Sequence, residues 1–207
     1  MRIWLTGTRA EPLAGRLRGL GHDVVHVPLL RVEPLGDGPV DVDGYDWVIV
    51  TSVTGAQELR RRLRGTPARV AAIGTATADA FGGADLVPRV STQEGLLAEL
   101  PRPAGSVLFA GAEDARRLLV EELEADFVPL YRTVELRPEP PTADLVVLAS
   151  ASAARALAAL GASVPAVSIG PQTTRAAGAA GVRIAAEATT HDVDGLAAAV
   201  EAWSSRS

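Results

Sequence analysis

The sequence contains no cysteine, which removes disulfides, thiolate catalysis and cysteine–zinc sites from consideration. It has three histidines, His22, His26 and His191. His22 and His26 flank a turn-to-strand segment, where positions four apart share a face but stand far apart along it. No third ligand is suggested nearby, so the sequence predicts no metal site and reads these two as solvent-facing. No apolar run approaches the roughly 18 residues a transmembrane helix needs. The stretch Ile3-Trp4-Leu5 is too short for the apolar core of a signal peptide and reads as a strand. These absences predict a cytoplasmic protein with no membrane partner. A net charge of −5 implies no broad basic surface, which disfavours nucleic-acid binding but leaves room for an anionic small molecule in a local pocket. Also missing are a Gly-x-Ser-x-Gly elbow, a Gly-x-x-x-x-Gly-Lys-Ser/Thr loop and a Gly-x-Gly-x-x-Gly after the first strand, so nucleotide-driven chemistry has no positive signal.

What is present is a repeated unit: a short apolar run, a turn of small residues, then a helical segment. Strand-like runs fall at Arg2–Thr6, Asp23–Leu29, Asp46–Thr51, Arg69–Ile73, Ala84–Val87, Ser106–Ala110, Asp126–Leu130, Asp144–Ala149, Ala166–Ile169 and Val182–Ala185. Helical segments include Gly55–Leu63 and Asp114–Leu123. Trp47-Val48-Ile49-Val50 and Leu145-Val146-Val147-Leu148 lack alternation, as expected of strands buried on both faces of a parallel sheet. The class is therefore α/β, and about ten strands in a chain of this length fit two sheets of about five better than one.

Internal repetition points the same way. Val27-Pro28-Leu29 returns as Val128-Pro129-Leu130, Ile73-Gly74 as Ile169-Gly170, and Glu94-Gly95-Leu96 as Asp194-Gly195-Leu196, at offsets of 101, 96 and 100. A duplicated half of about 100 residues follows. Segments 31–44 and 132–143 read as linkers, since Pro34 and Pro39, then Pro138, Pro140 and Pro141, keep them extended. Two short linkers predict a mobile cleft between two domains.

In open α/β sheets, ligands bind beyond the carboxyl ends of the strands. Four turns lie there: Thr51-Ser52-Val53-Thr54-Gly55, Gly74-Thr75-Ala76-Thr77, Ala149-Ser150-Ala151-Ser152 and Gly170-Pro171-Gln172-Thr173. Their free N–H groups and hydroxyls favour an anion. Helix capping alone would explain any one of them; two matching pairs favour a binding cleft. Of two tyrosines, Tyr45 reads as structural, while Tyr131 takes the place of Leu30 in the first repeat. A phenol there is either a proton donor to a leaving hydroxyl or a packing aromatic. Arg9, Arg31, Arg116 and Arg132 are candidate partners for carboxylates. Arg60-Arg61-Arg62 reads as a solvated helix end, Trp4 and Trp47 as core, and Trp203 as a docking residue.

The ordered motifs resemble those of the uroporphyrinogen-III synthase family. They are Thr8-Arg9, Pro28-Leu29-Leu30-Arg31-Val32-Glu33-Pro34, Tyr45-Asp46-Trp47-Val48-Ile49-Val50-Thr51-Ser52, Ala72-Ile73-Gly74 with Thr77-Ala78, Glu94-Gly95-Leu96, Tyr131-Arg132-Thr133 and Ile169-Gly170-Pro171 with Thr173. The resemblance implies two flavodoxin-like parallel-sheet domains joined by a two-stranded β linker, one of residues 1–33 with 138–207, the other of 36–131. Each domain would take two strands from one half of the repeat and three from the other. It implies closure of hydroxymethylbilane through a spiro intermediate, with inversion of ring D and loss of water, in a cytoplasmic monomer using no cofactor or metal. Transient contact with hydroxymethylbilane synthase would accompany this. By resemblance, Tyr131 assists hydroxyl loss. Thr8, Arg9, Thr51, Ser52, Gly74, Thr77, Ser150, Ser152, Gly170 and Thr173 are the substrate-binding set. Ala149 stands where a threonine is usual, and Ala110 where many members carry an arginine before glycine.

Two other readings stand beside this one. A non-catalytic two-domain binder of an anionic small molecule would keep the cleft without turnover. A flavodoxin-like regulatory or electron-transfer protein would carry flavin or an acidic phosphoacceptor, and the turns at Leu5-Thr6-Gly7-Thr8 and Thr51-Ser52 lack the acids.

Overall fold

The structure, a computed structural model, describes residues 1–206. In chain order the elements are β1 (Arg2–Leu5), α1 (Glu11–Gly19), β2 (Asp23–His26), β3 (Leu30–Pro34), β4 (Val40–Asp41), β5 (Trp47–Val50), α2 (Val53–Arg62), β6 (Leu63–Arg64), β7 (Val70–Ala72) and α3 (Thr75–Phe81). Then follow α4 (Gln93–Glu99), β8 (Val107–Ala112), α5 (Leu118–Leu123), β9 (Asp126–Glu135), β10 (Leu145–Leu148), α6 (Ala151–Ala159), β11 (Ala166–Ser168), α7 (Pro171–Ala179), β12 (Ile184–Glu187) and α8 (Val193–Ser204).

Contacts divide the chain into two compact units, Met1–Arg31 with Val134–Ser207, and Val32–Thr133. The first holds a five-stranded sheet in the order β12-β11-β10-β1-β2, its neighbours parallel. Ile3, Leu5, Leu145 and Val147 point to the face covered by α1 and α8, where Leu13, Leu17, Leu196 and Val200 meet them. Trp4, Val146 and Leu148 point to the opposite face, against Leu157 and Ala177 of α6 and α7. This two-sided burial is why these strands carry no polar alternation. The Trp4 indole N–H is satisfied by donating to the Val27 carbonyl at 2.7 Å.

The second unit repeats the scheme with the order β3-β9-β8-β5-β7. Its strands β9-β8-β5-β7 are parallel, and Leu86 extends the row by one bridge to Ala71. Val48, Val50, Leu108 and Ala110 pack toward Leu59 of α2 and Ala78 of α3, while Trp47, Ile49, Val107 and Phe109 pack toward Leu96 of α4 and Leu119 of α5. Strands β1 and β2 thus occupy the places that β8 and β9 hold in the other unit. Strands β10 to β12 match β5, β7 and the Leu86 bridge. The boundary between units is crossed within β3 and within β9.

Several local expectations are revised. Ala84–Val87 yields the single Leu86 bridge rather than a strand. The helix expected from Asp114 begins at Leu118, after a turn in which the Ala115 N–H reaches the Ala112 carbonyl. The strand expected at Val182–Ala185 lies two residues later. His22 does not face solvent: its side chain is 9 % exposed and its Nε2 lies 2.5 Å from Glu201 Oε1 on α8. The Arg60-Arg61-Arg62 run is more than a solvated end. Arg61 pairs with Asp37 and Glu58, and Arg62 donates to the carbonyls of Gly38 and Leu35, which fastens the segment after β3 onto α2.

The Glu-Gly-Leu and Asp-Gly-Leu repeats have a packing cause. Thr92 and Asp192 cap α4 and α8 by accepting the N–H of Gly95 and Gly195, at 3.0 and 2.7 Å. A Cβ on either glycine would collide with the backbone carbonyl of Val90 or Thr190. The following leucines, Leu96 and Leu196, are core.

Candidate functional site

In the second unit, parallel pairing puts the ends of β5 and β7 beside the last residues of β8, so the turns at Thr51-Ser52 and Gly74 share one edge of the sheet with Gly111 and Ala112. Ser52 is the N-cap of α2, and its Oγ accepts the Gly55 N–H at 2.9 Å. Gly55 sits where α2 starts close against β8: a Cβ would come 3.0 Å from Ser52 Oγ, a tight fit, and 3.6 Å from the Ala110 carbonyl.

Tyr131 lies on β9 opposite Ala112. Its ring is 7 % exposed and packs with Val50, Ala110 and Leu130. Its hydroxyl meets Ser52 Oγ at 2.9 Å. Burial pushes the phenol above its ordinary 10, the Ser52 hydrogen bond works against that, and the Asp114 carboxylate adds to it. The group is therefore a neutral phenol over the physiological range, able to give a proton. Thr77 is buried on the first turn of α3, and Gly74 caps that helix.

In the first unit the matching edge gathers Thr6-Gly7-Thr8 after β1, Ala149-Ser150 after β10, and Gly170 after β11. Thr6 is fully buried and spends its hydroxyl on the Val147 carbonyl at 2.7 Å, whereas Thr8 and Arg9 are exposed. A cavity of about 180 Å³ opens at this edge, with Gly7, Arg9, Asp192 and Leu196 among the residues that line it. Ser150 caps α6 by accepting the Ala153 N–H at 3.1 Å, and Ser152 accepts from Arg155 at 3.1 Å. Thr173, 4 % exposed, occupies on α7 the place Thr77 takes on α3.

Capping is thus what Ser52 and Ser150 do, and Ser52 alone of the two also meets the phenol. Of the candidate arginines, Arg116 grips both oxygens of Glu94 at 2.7 and 2.8 Å. That hydrogen bonding holds the Glu94 carboxyl down at about 2. Arg132 holds Glu33 at 2.8 Å. Both are committed to carboxylates of the chain, and Arg9 and Arg31 also have partners.

Two features of the first unit's edge escaped the sequence reading. His191, on the loop before α8, lies over Gly170; a Cβ on Gly170 would come 2.5 Å from its Nε2. In the second unit Ser91 takes the equivalent place over Gly74. Ser168 is fully buried and meets Thr174 at 2.6 Å, which in turn donates to Glu187 and ties α7 to the edge strand β12. The recurrence of Thr190-His191-Asp192 after Val90-Ser91-Thr92 was the signal that could have found His191. No group of three or more His, Asp or Glu among the described residues is placed to hold a metal, and no described helix is long and apolar enough to cross a membrane.

Comparison with known proteins places this arrangement. A family model described as uroporphyrinogen-III synthase HemD matches residues 11–198. A uroporphyrinogen-III synthase of Synechococcus elongatus is 25% identical over 94% of this chain and 91% of its own. In fold, the chain is similar to a crystal structure of a mutant uroporphyrinogen III synthase from Thermus thermophilus, with a TM-score of 0.68, 17% identity and full coverage of both chains. The chain belongs to the uroporphyrinogen-III synthase family.

Proposed function

We propose that this chain closes hydroxymethylbilane to uroporphyrinogen III, and that Tyr131 is the group that assists loss of the hydroxyl. The observation that carries the role is the neutral, buried phenol of Tyr131 at the ligand edge of the second sheet, hydrogen-bonded to the N-cap of α2.

The chemistry asks little of the protein beyond a proton and a shape. As the C–O bond of the hydroxymethyl group breaks, its electron pair stays on oxygen, which takes the phenol proton and leaves as water. The pyrrole nitrogen supplies electrons to the carbon left behind. Ring D attacks that carbon, rearranges through a spiro intermediate and loses a proton on closure, which restores the phenol. The substrate bears several carboxylates. The N-terminal turns at Thr8 and Arg9, Thr51 and Ser52, Gly74 and Thr77, Ser150 and Ser152, and Gly170 and Thr173 suit them through N–H groups and helix dipoles. Holding the ends of the chain so that the inverted closure outruns the simple one is a positioning effect. No cofactor or metal enters the scheme.

We read each unit as a flavodoxin-like domain, with segments 31–44 and 132–143 as the joins and the β3–β9 pair as the linker. The order β2-β1-β10-β11-β12 supports this, being the doubly wound order 2-1-3-4-5. A cytoplasmic monomer that meets hydroxymethylbilane synthase transiently completes the proposal. The non-catalytic binder is the less favoured reading, because Tyr131 keeps both its burial and its partner.

Tyr131→Phe tests the role. Turnover should fall by at least about 100-fold, the low end of general acid catalysis, with KM and the unfolding midpoint little changed. Full turnover in the variant would remove Tyr131 from the chemistry.

A further inference from the structure

We propose that Ser52 is a positioning residue for the Tyr131 proton: during turnover its hydroxyl donates to the phenol oxygen, which aims the phenol proton at the departing hydroxyl and stabilises the phenolate left behind. The inference rests on the role given to Tyr131 above and names the residue that makes that role workable.

The argument begins with the hydrogen-bond inventory. Ser52 Oγ has one proton and two lone pairs. One lone pair is used by the Gly55 N–H at 2.9 Å. The remaining contact is with Tyr131 Oη, also at 2.9 Å, where either oxygen can donate. If the phenol donated to Ser52 throughout, its proton would point into the helix cap and away from any substrate. If Ser52 donates, the phenol proton is free. The Gly55 N–H already draws electron density from Ser52 Oγ, which makes its O–H the better donor. The positive end of α2, a ten-residue helix, acts in the same direction.

The surroundings make such a donor necessary. A phenolate formed at Tyr131 is poorly solvated, because the residue is 7 % exposed, and the field of Asp114 opposes its charge. Ser52 is the side chain that relieves it. In the first unit Ser150 occupies the matching cap and accepts from Ala153, but no tyrosine stands beside it: Leu30 takes the place of Tyr131 in the repeat. The two caps share a structural duty, and the second unit adds a chemical one.

The test separates capping from proton donation. Ser52→Thr keeps both the cap and the hydroxyl. Ser52→Gly keeps most of the cap's stability and carries neither a donor nor a charge. Each is made with Tyr45→Phe, so that Tyr131 is the sole tyrosine, and read three ways: kcat and KM, the urea midpoint, and the phenol ionisation by ultraviolet difference absorbance. We expect Ser52→Thr, which keeps the donor, to hold kcat within about threefold. We expect Ser52→Gly to nearly keep the urea midpoint, lower kcat by about 10- to 100-fold, as loss of a hydrogen bond to a forming charge implies, and move the phenol ionisation to higher pH. Ser52→Gly with parental kcat, an unmoved phenol ionisation, or equal losses in the Thr and Gly variants would each overturn the proposal. Tyr131→Phe in the same assay keeps the two readings apart. Full activity there defeats the catalytic role of the phenol, whereas an unmoved ionisation in Ser52→Gly defeats the coupling alone.

Discussion

One chemical change, Gly to Ala, should have opposite effects at two helical positions. Gly195 is on the first turn of α8, and its Cβ would fall on the Thr190 carbonyl oxygen and close to the Thr190 hydroxyl. A carbonyl cannot rotate out of the way, so the 190–192 loop must move or α8 must begin later. Overpacking of this kind costs about 1–3 kcal/mol. The helix-propensity gain of Ala over Gly, about 1 kcal/mol in a helix interior and less in a first turn, leaves a net loss of up to about 2 kcal/mol. Gly15 lies in the middle of α1 with nothing within 4 Å of its added Cβ, so there the propensity gain of about 1 kcal/mol stands alone. Urea unfolding followed by circular dichroism should place Gly195→Ala below the parent and Gly15→Ala above it. Moving Thr190 also disturbs His191 over Gly170, so Gly195→Ala should raise KM more than it lowers kcat. A Gly195→Ala protein stabilised as much as Gly15→Ala would refute the claim that the Thr190 carbonyl's approach is what demands glycine there.

Other outcomes follow from single contacts. Thr92→Ala removes the cap of α4 and should cost about 1 kcal/mol in urea unfolding, with Thr92→Ser restoring most of it. Glu94 is held at about 2, below an ordinary 4.5, chiefly by its hydrogen bonds to Arg116. The stability it contributes is complete above about pH 4.5 and is lost as pH falls toward 2. The difference between parent and Glu94→Gln should therefore shrink across that window. Arg62→Ala frees the carbonyls of Leu35 and Gly38, and amide exchange should quicken in residues 35–39 while β5 stays protected.

How much of this could be read beforehand depended on the range of the interaction. Buried runs such as Val146–Leu148 announced parallel strands because both faces of the sheet are covered, and composition alone carries that signal. The repeat was visible because Val-Pro-Leu, Ile-Gly and the acidic-Gly-Leu motif each serve a local geometry twice. Leu86 was over-read as a strand: its apolar neighbours look β-like, but the row ends after one bridge. The helix after Asp114 was over-read because its start has no side-chain cap and the chain makes a turn first.

At the site, Ser52 and Tyr131 were both singled out, yet their bond spans 79 residues and no local pattern encodes it. The same holds for His22 and Glu201, 179 apart, and for the carboxylates that occupy Arg116 and Arg132. An arginine's availability is decided by what folds against it. In the turn after β10, Ser150 accepts the Ala153 N–H to cap α6 and Ser152 accepts from Arg155, two duties set by the fold rather than by the Ala-Ser-Ala-Ser pattern.

The most direct test of the central claim is the isomer formed. Hydroxymethylbilane generated in situ is mixed with the protein, and the oxidised products are separated. The account predicts predominantly isomer III, because uncatalysed closure gives isomer I. Isomer I alone, from a protein whose circular dichroism shows it folded, would contradict the account and make the chain a binder that has kept the fold without the chemistry.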